Sequence, residues 1–501
     1  MTLPTLRFDF LGDVPAAEDL GHVHLIAIGG AGMSGLARIL LAKGIQVSGS
    51  DAQESSLLRS LAAEGAAVHV GHAAELVEDA DTVVISSAIR DTNPELAAAR
   101  DRGLRVLHRA QALAATMTHS RRVAVAGANG KTTTTSLLTV ALQAAGADPS
   151  FAIGGELAKP GTNAHVGAGD DFVVEADESD GSFLVYRPHV AIVTSVQPDH
   201  LDFYGDLATV EEAYRAFVGT ILPEGLLVVC ADDPGAKALA DWARAAGFRV
   251  LSYGESPTAD VRITEVRRSG LTSTATLTVE TTRHLLRVPI PGRHNVLNAT
   301  AAFAAATHGL GANAEDVLSG LASFSGTRRR FELKGEVGGV QVIDDYAHNP
   351  GKVAAVMTTA RQLIDDAHAG RLVVVFQPHL YSRTRNFAAE LGASLAAADL
   401  LFVLDVYAAR EDPEPGVSGR LVADAARAAR ADVDVRYVSS CAAVPDAVAD
   451  AVRRGDLVLT IGAGDVTKVG PEVLRRLYGR QAGGLASVPA DSEVSRQESG
   501  Q

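Results

Sequence analysis

The sequence predicts an α/β protein of three domains, and three observations lead to that prediction. The chain has 501 residues, enough for about three hydrophobic cores at roughly 150 residues per domain. Short β-branched runs alternate with Ala- and Leu-rich stretches, as in stacked βαβ units with parallel sheets. Two glycine-rich loops each separate a predicted strand from a predicted helix. Each domain is therefore expected to be built around a largely parallel sheet.

Composition restricts the class of protein. Two cysteines, Cys230 and Cys441, are too few for a disulfide framework or a CxxC-type metal site, and they suit a reducing cytosol. The net charge of −15 argues against a nucleic-acid partner. The N-terminus lacks the apolar core of a signal peptide, and no run approaches the roughly 18 apolar residues of a membrane span. We expect a cytoplasmic protein with neither a nucleic-acid nor a membrane partner.

The predicted strands fall into three series. VHLIAI, IQVSGS and TVVISS indicate a Rossmann-like N-terminal domain over residues 1–116. RRVAVAG, DDFVVEAD, HVAIVTSV and GLLVVCADD, followed by VRITEVRR and TSTATLTVE as an antiparallel insertion, indicate a mixed central sheet over 117–325. VQVIDDYAH, RLVVVFQPH, LLFVLDVY and DLVLTIGAG indicate a Rossmann-like C-terminal domain over 326–479. Residues 480–501 are rich in Gly, Ala, Ser and Gln without periodicity, so we expect a disordered tail.

The first glycine loop matches a dinucleotide-binding fingerprint. It reads Gly30, Ala31, Gly32, Met33, Ser34 and Gly35, between a predicted strand and a predicted helix. Its glycines let the backbone approach a diphosphate at a helix N-terminus. Asp51, at the end of the next strand, is placed to accept a hydrogen bond from a sugar hydroxyl. A nucleotide sugar suits this loop as well as NAD does. A tight turn without a ligand is the structural alternative.

The second glycine loop has the character of a P-loop. It reads Gly127, Ala128, Asn129, Gly130, Lys131 and Thr132. Backbone N–H groups of such a loop bind phosphates, the lysine neutralises β- and γ-phosphate charge, and the threonine ligates Mg²⁺. The glycine usual five positions before the GK glycine is Val125 here, so the loop is two residues shorter. A lysine that merely caps a turn is the alternative. A second nucleotide loop argues against a simple dehydrogenase.

Two further strand ends carry candidate metal ligands. Glu175 ends the strand of DDFVVEADESDGSF and is followed by Asp177, Glu178 and Asp180. An acid at this position in a P-loop sheet holds Mg²⁺, although a solvated acidic loop would have the same composition. His200 follows another strand and is a candidate for a second metal. Two Mg²⁺ ions would bridge ATP and the group that is phosphorylated.

Two polar segments have both a structural and a functional interpretation. Arg328, Arg329 and Arg330 lie at the second domain boundary, either as a solvated linker or as arginines that reach the γ-phosphate when domains close. His294 and Asn295 precede an Ala-rich helix. They could bind an adenine edge or cap that helix, and their spacing does not decide between the two.

Together these motifs resemble the Mur ligase family over roughly residues 22–478. The resemblance rests on IAIGGAGMSG, VSGSD, SSAI, GxxGKTTTT, VEADESDGSF, PDHLDFYGD, GRHNVLNA, RRRFE, DDYAHNP, FQPHLYSRT and LDVYAARE. It implies an ATP-dependent acid–amino acid ligase of cytoplasmic peptidoglycan precursor synthesis that proceeds through an acyl phosphate. GGAGMSG and EADESDGSF favour the member that joins L-alanine to UDP-N-acetylmuramate. A sister ligase that adds a peptide or another amino acid is the nearest alternative; an NAD-dependent oxidoreductase and a nucleotide-binding switch are more distant ones.

The resemblance also implies roles for individual residues. The first loop and Ser87 would hold the UDP sugar, and Gly127 to Thr133 would bind ATP, with Thr133 as the last contact. His294 and Asn295 would lie by adenine, Arg329 or Arg330 by the γ-phosphate, and Asp345 near the nucleotide. Metal ligands would be Thr132, Glu175 and His200, and amino-acid contacts Tyr346, His348 and Arg383. Lys131, His200, His348 and Arg330 would be catalytic. The implied cofactor is Mg²⁺, as two ions, or Mn²⁺, in a monomer or weak homodimer.

Several positions depart from the family pattern. Ala128 and Asn129 replace the TH of the usual GTHGKT loop, and the usual HHPTE motif is HNPGK here. Leu380 stands where HRYTR has its first arginine, which leaves Arg383 to bind the amino-acid carboxylate and puts the amino-acid preference in question. Arg215 occupies the position of a lysine that is carbamoylated in some relatives, and an arginine does not undergo that modification.

Overall fold

A computed structural model of the chain describes residues 4, 6–367, 370–409 and 411–485. The chain divides into two compact units, 1–328 and 329–501. Within the described residues the first unit contains two sheets and the second contains one. The predicted three-domain α/β architecture is therefore confirmed.

The N-terminal sheet is parallel throughout, in the order β3-β2-β1-β4-β5. Its strands are β1 (Val23–Ile26), β2 (Val47–Asp51), β3 (Ala67–Val70), β4 (Thr82–Ile85) and β5 (Arg105–His108). Its helices are α1 (Ala31–Ala42), α2 (Ser56–Ala63), α3 (Pro94–Asp101) and α4 (Arg109–Ala115). The strand order reverses between β1 and β4, and the crevice at such a switch point is where open α/β sheets bind ligands.

The central sheet is mixed, in the order β15-β14-β13-β12-β11-β10-β6-β9-β7-β8. Its strands are β6 (Arg121–Ala126), β7 (Ser150–Ala152), β8 (Ala164–His165), β9 (Asp171–Glu175), β10 (Val190–Val193), β11 (Leu226–Cys230), β12 (Arg249–Gly254), β13 (Val261–Ser269), β14 (Thr272–Val279) and β15 (Thr282–Val288). Its helices are α5 (Lys131–Ala144), α6 (Leu201–Tyr204), α7 (Leu207–Gly219), α8 (Pro234–Ala245), α9 (Arg293–Ala304) and α10 (Ala314–Ser323). The predicted antiparallel insertion is β13 to β15. The parallel strands β10, β6 and β9 are neighbours, so their carboxyl ends share one edge.

The sheet of the second unit has the order β16-β17-β21-β18-β19-β20, with β16 as an antiparallel edge strand. Its strands are β16 (Glu332–Val337), β17 (Val340–Asp345), β18 (Leu372–Phe376), β19 (Leu400–Val403), β20 (Asp434–Tyr437) and β21 (Leu457–Ile461). Its helices are α11 (Pro350–Ala367), α12 (Tyr381–Leu395), α13 (Arg420–Ala429), α14 (Val444–Ala451) and α15 (Val469–Leu485). The carboxyl ends of β17, β21 and β18 therefore lie side by side.

The predicted disordered tail needs a correction at its start. Residues 480–485 continue α15 as regular helix. Arg480 holds this last part of the helix to α14, because its guanidinium donates to the Ala449 carbonyl at 2.6 Å and pairs with Asp450. The remainder of that prediction, residues 486–501, lies outside the described residues.

Several of the parallel strands are short, continuous apolar runs. LLVVC of β11 and LVVVF of β18 are buried at every position, as expected for strands covered on both faces. Each fully buried Val or Leu side chain contributes about 1.5–3 kcal/mol to folding. No helix among the described residues is long and apolar enough to cross a bilayer. Because the interiors of these strands are apolar and buried, the polar residues at the strand ends are the most informative about function.

Candidate functional site

The second glycine loop makes a tight turn from β6 into α5. Gly127 has φ +137° and Gly130 has φ +90°, backbone conformations that glycine adopts without the strain of a side chain. A Cβ atom at Gly127 would lie 2.0 Å from Oγ1 of Thr194, and one at Gly130 would lie 2.5 Å from Oδ1 of Asn298. Conformation and close packing thus both require glycine at these two positions.

Residues that follow β10 support this loop. Oγ1 of Thr194 donates to the Asn129 carbonyl at 2.5 Å, and Oγ of Ser195 accepts from the Asn129 N–H at 3.1 Å. The Asn129 side chain donates to Gln197 at 3.0 Å. Thr194, Ser195 and Gln197 were not predicted from the sequence, because only the pairing of β10 with β6 brings them to the loop. Asn129, which departs from the family pattern, is therefore hydrogen-bonded to the residues that follow β10.

Lys131 is held by an internal carboxylate. Its Nζ donates to both oxygens of Glu178 at 2.8 Å and to the Gly127 carbonyl at 2.7 Å. The Glu178 residue is 2% exposed. Burial acts against the charge on the lysine, but the Glu178 carboxylate outweighs it and raises the pKa of Lys131. The ammonium therefore stays charged, with a partner that phosphate oxygens would have to replace.

The predicted metal ligands Thr132 and Glu175 are brought together. Oγ1 of Thr132 donates to Oε1 of Glu175 at 3.0 Å, and Oε2 of Glu175 accepts from the Gly154 N–H at 2.7 Å. A hydroxyl and a carboxylate are hard oxygen donors of the kind that Mg²⁺ prefers. No group of three or more His, Cys, Asp or Glu side chains that could hold a metal occurs among the described residues. The pair thus fits an ion that also takes oxygens from its substrate.

His200, predicted for a second metal, directly precedes α6 and has φ +53°. Its Nε2 lies 3.9 Å from Oδ1 of Asp199. Burial raises the pKa of Glu178, and Lys131 and the nearby imidazole of His200 oppose that rise in part. His200 therefore belongs to the same edge of the sheet as Lys131.

The first glycine loop is exposed at its beginning and buried at its end. Gly30, Ala31 and Gly32 are exposed, whereas Met33, Ser34 and Gly35 are buried in the first turns of α1. Ala31 is fixed by the amide of Asn163, which donates to its carbonyl at 2.8 Å. Only the beginning of the fingerprint can thus meet a ligand, and the remainder packs the helix against its surroundings.

Asp51 and Arg109 flank the exposed part of this loop. Asp51, predicted to contact a sugar, accepts from the Gly29 N–H at 3.0 Å. A Cβ atom at Gly32 would lie 3.0 Å from NH1 of Arg109, the first residue of α4. Sequence reasoning missed Arg109, although its place directly after β5 puts it at the ligand-binding edge. A cation beside a glycine loop is suited to a diphosphate.

The residues after β9, 177–180, form what we call the acidic turn, and it contacts both glycine loops. Glu178 binds Lys131 of the second loop, as described above. Asp177 pairs with Arg109 beside the first loop at 3.3 Å. Asp180 accepts from Ser87, a predicted sugar ligand, and lies 3.3 Å from Nε2 of His108. Burial opposes its charge, but hydrogen bonds and the charge of His108 hold the pKa of Asp180 well below its usual range.

His294 and Asn295 lie in the first turn of α9. Burial lowers the pKa of His294 to about 4, so its imidazole is neutral at pH 7. The Asn295 amide donates to the Pro291 carbonyl at 2.7 Å and accepts from Asn298 at 3.3 Å. Asn295 thus stabilises the start of the helix, and its predicted contact with adenine stays a prediction. Asn298, which the sequence did not single out, is the residue that contacts Gly130.

In the second unit, the carboxylate of Asp345 accepts hydrogen bonds from nearby backbone N–H groups. It is 5% exposed, and its two oxygens accept from the N–H groups of Phe331 and Ala347, each at 2.8 Å. Burial outweighs the charge of Arg330 and raises the pKa of Asp345. This arrangement stabilises the chain on either side of β17, and the predicted role of Asp345 near the nucleotide stays a prediction.

Two predicted arginines surround a tyrosine here. The guanidinium carbons of Arg329 and Arg330 lie 4.8 and 5.3 Å from the ring centroid of Tyr346. Arg329 also donates to the Gly462 carbonyl at 2.5 Å, in the glycine-rich segment that follows β21. The cations and the aromatic ring thus share one edge of this sheet.

His348, which is predicted to contact the amino-acid substrate, is part of a row of aromatic rings. Its ring centroid lies 5.2 Å from that of Tyr346 and 5.6 Å from that of His379, which in turn stacks on Tyr407 at 6.0 Å. NH1 of Arg383 lies 3.3 Å from Nδ1 of His379. Burial and the neighbouring cations hold the pKa of His348 well below its usual range. His379 and Tyr407 are additional candidates that the sequence had placed only within motifs.

Comparisons with known proteins agree over nearly the whole chain. Three family models match: Mur ligase family, catalytic domain, at residues 22–121; Mur ligase middle domain at 125–306; and Mur ligase, glutamate ligase domain, at 329–464.

Curated relatives and solved structures extend this likeness. UDP-N-acetylmuramate–L-alanine ligase of Renibacterium salmoninarum is 54% identical over 92% of this chain and 97% of its own length. The ligase of the same name from Kineococcus radiotolerans is 54% identical over 94% and 100%. The crystal structure of UDP-N-acetylmuramate–alanine ligase from Thermotoga maritima has a TM-score of 0.77 and 27% identity, covering 92% of this chain and 99% of that one. A murein peptide ligase from Psychrobacter arcticus shares the fold, with a TM-score of 0.66 at 24% identity and coverages of 91% and 98%.

Proposed function

The chain belongs to the Mur ligase family, and from this we propose that it joins L-alanine to the lactyl carboxylate of UDP-N-acetylmuramate, converting ATP to ADP and phosphate. The observation that carries the proposal is the 54% identity to L-alanine ligases over at least 97% of their length. The reaction belongs to peptidoglycan precursor synthesis. Its two anionic substrates suit a unit that presents two glycine loops.

The second loop is assigned to ATP. Backbone N–H groups of residues 127–130 and the ammonium of Lys131 would bind the phosphates, and Lys131 would exchange Glu178 for phosphate oxygens. Thr132 and Glu175 would hold Mg²⁺, which when bound offsets phosphate charge. His200 is assigned to a second Mg²⁺ ion, and Mn²⁺ is the alternative metal.

The first loop is assigned to the UDP sugar. The exposed residues 30–32 and Arg109 would bind the diphosphate, and Ser87 would bind the sugar. Arg109 would then exchange Asp177 for phosphate oxygens. The lactyl carboxylate attacks the γ-phosphorus, so an O–P bond forms and the β–γ bridge breaks. Lys131 stabilises the charge that develops as ADP leaves.

The second unit is assigned to the amino acid. The neutral amine of L-alanine attacks the acyl carbon of the acyl phosphate, a C–N bond forms and the C–O bond to phosphate breaks. The proton that the nitrogen loses is carried away by the departing phosphate. Nδ1–H of His348 donates to the Tyr346 carbonyl at 3.0 Å, which leaves Nε2 of this neutral ring to accept a hydrogen bond. We assign His348 to orienting the amine, because a strongly lowered pKa makes it a weak base. Arg383 is assigned to the carboxylate, and Arg330 to the γ-phosphate.

The test is phosphate release from ATP and Mg²⁺ with UDP-N-acetylmuramate and a panel of amine substrates. We expect release with L-alanine, weaker release with glycine or L-serine, and none with D-alanine or without the sugar nucleotide. Lys131→Ala is the inactive control. Release with a tripeptide but not with L-alanine would instead identify a murein peptide ligase.

A further inference from the structure

A pocket of about 500 Å³ lies at the amino ends of strands β9, β6 and β10, and we call it the amino-end pocket. These strands are parallel neighbours, so the pocket is at the edge of the sheet opposite the ATP loop. Strand β6 has six residues, which at about 3.3 Å per residue puts roughly 20 Å between the two. Its volume is typical of small-molecule sites, and the mechanism above does not use it. The pocket is lined by residues 118–122, Asp170, His189 and Leu222.

Arg122 is the cation of this pocket that lacks an anion. Its Nε is buried, and no described residue accepts a hydrogen bond from it or pairs with the guanidinium. Burial and the nearby cation Arg187 lower the pKa of Arg122, so its surroundings oppose its charge. The exposed Asp170 raises the pKa of Arg121 but does not act on Arg122. A buried donor without a partner destabilises a fold, and a ligand that accepts from it is one explanation.

The two arginines near Arg122 already have partners. Arg121 donates to both carboxylate oxygens of Asp171, at 2.6 and 3.1 Å. Arg187 donates to the backbone carbonyls of residues 11–12. Both of these cations are therefore used by the fold, whereas the charge of Arg122 is left for an anion that enters the pocket.

Two uncharged donors accompany Arg122 in the lining. The backbone N–H of Arg122 donates to Nδ1 of His189 at 3.0 Å, so the proton of the neutral ring is on Nε2. Burial, together with the two arginines of β6, lowers the pKa of His189 and keeps its ring neutral at pH 7. Among the described residues none hydrogen-bonds Nε2 of His189 or the hydroxyl of Ser120, which also lines the pocket. The Thr118 hydroxyl, by contrast, already donates to the Ala115 carbonyl at 2.8 Å.

We propose that the amino-end pocket binds a phosphate monoester, whose terminal oxygens accept from the Arg122 guanidinium, Nε2–H of His189 and the Ser120 hydroxyl. Three donor groups match three terminal oxygens, whereas a carboxylate has two. The planar guanidinium suits phosphate, because it donates two parallel N–H bonds. Inorganic phosphate alone would leave most of the volume empty, so the remaining space is assigned to the organic part of the ester.

Calorimetric titration of the full chain with glucose 6-phosphate and with glycerol 3-phosphate tests the proposal. An excess of UDP-N-acetylmuramate, Mg²⁺ and a non-hydrolysable ATP analogue keeps both glycine loops occupied. Arg122→Gln is expected to raise the Kd for both esters at least about 10-fold, the effect of one charged hydrogen bond. Its kcat and its KM values should match those of the wild type, because Arg122 is at the opposite edge of the sheet from the ATP loop.

Arg249→Gln is the matched control. Arg249 begins β12 at the same edge of the sheet, and its guanidinium donates to the Glu224 carbonyl at 2.7 Å, outside the pocket. This variant should keep the wild-type Kd. Arg122→Gln should melt no lower than the wild type, since it removes a charge that no described residue pairs with. Glucose 6-phosphate should raise the melting temperature of the wild type and of Arg249→Gln, but not that of Arg122→Gln.

Four outcomes overturn the inference. Neither ester binds the wild type, or Arg122→Gln binds both esters as tightly as the wild type does. Succinate displaces the esters at equal concentration, which would identify a carboxylate site, or inorganic phosphate binds as tightly as they do, which would identify a site for the free ion. Each outcome is measured as binding, so it is independent of whether the chain ligates L-alanine.

Discussion

The ammonium of Lys131 lies 2.8 Å from each carboxylate oxygen of Glu178, a residue that is almost completely buried. Removing one member of a buried pair leaves an uncompensated charge, which costs about 3 kcal/mol or more. We expect Lys131→Ala to abolish phosphate release and to lower the free energy of unfolding by about that amount. Urea denaturation and a phosphate assay measure the two effects.

The double variant Lys131→Ala, Glu178→Gln provides the control. It no longer buries a charge, so most of the lost stability should return while activity stays absent. A double variant as unstable as the single one would show that the lysine stabilises the fold by something other than this pair.

Gly130→Ala should eliminate ATP binding. The substitution adds strain at φ +90° and places Cβ 2.5 Å from Asn298, so the loop must move. Gly146, just after α5, is the matched position, because it has φ +79° and no neighbour within 4 Å of an added Cβ. Gly146→Ala should cost about 1–2 kcal/mol of stability and leave phosphate release intact. Equal loss of activity in both variants would contradict a specific role for close packing at Gly130.

His294 makes stability depend on pH. Its pKa is about 4 in the folded protein against 6.5 for an unperturbed imidazole, so the unfolded chain binds its proton first as the pH falls. Between pH 6.5 and 4 the folded state therefore loses stability, with a slope that approaches one extra proton bound on unfolding. His294→Gln should remove that part of the slope in urea denaturation measured across this range.

Arg383→Ala should raise KM for L-alanine about 10- to 100-fold, the effect of losing a charged hydrogen bond. KM for ATP and for the sugar nucleotide should be unaffected, because Arg383 is assigned only to the amino-acid carboxylate. Arg385→Ala on the same helix is the control, since Arg385 is half exposed and pairs with Glu414. Steady-state kinetics with each substrate varied in turn checks the expectation, which a parallel rise in all three KM values would refute.

Local chemistry explains what the sequence could predict. Glycine spacing, a following lysine and polar strand ends are short-range signals, and they identified both loops and the Thr132–Glu175 pair. Partners that depend on strand order were missed: Asn163 contacts Ala31 across 132 positions, and Arg109 meets Asp177 across 68. No short pattern in the chain specifies that β6 lies between β10 and β9.

Asp345 shows a second limit. An acid at the end of a strand has the same sequence signature whether it binds a ligand or its own backbone. Only the structure reveals that each of its oxygens accepts a hydrogen bond from a backbone N–H, that of Phe331 or that of Ala347. Asn295 is a similar case, with its amide turned back to Pro291.

The acidic turn has a thermodynamic consequence for the two nucleotides. Under the proposed assignment, ATP would displace Glu178 from Lys131 and the sugar nucleotide would displace Asp177 from Arg109, two carboxylates of the same four residues. We expect the substrate that binds first to loosen the turn, so that the second displaces its carboxylate at a lower cost. Linkage requires this cooperativity to be reciprocal, so each nucleotide should raise the affinity of the other by the same factor.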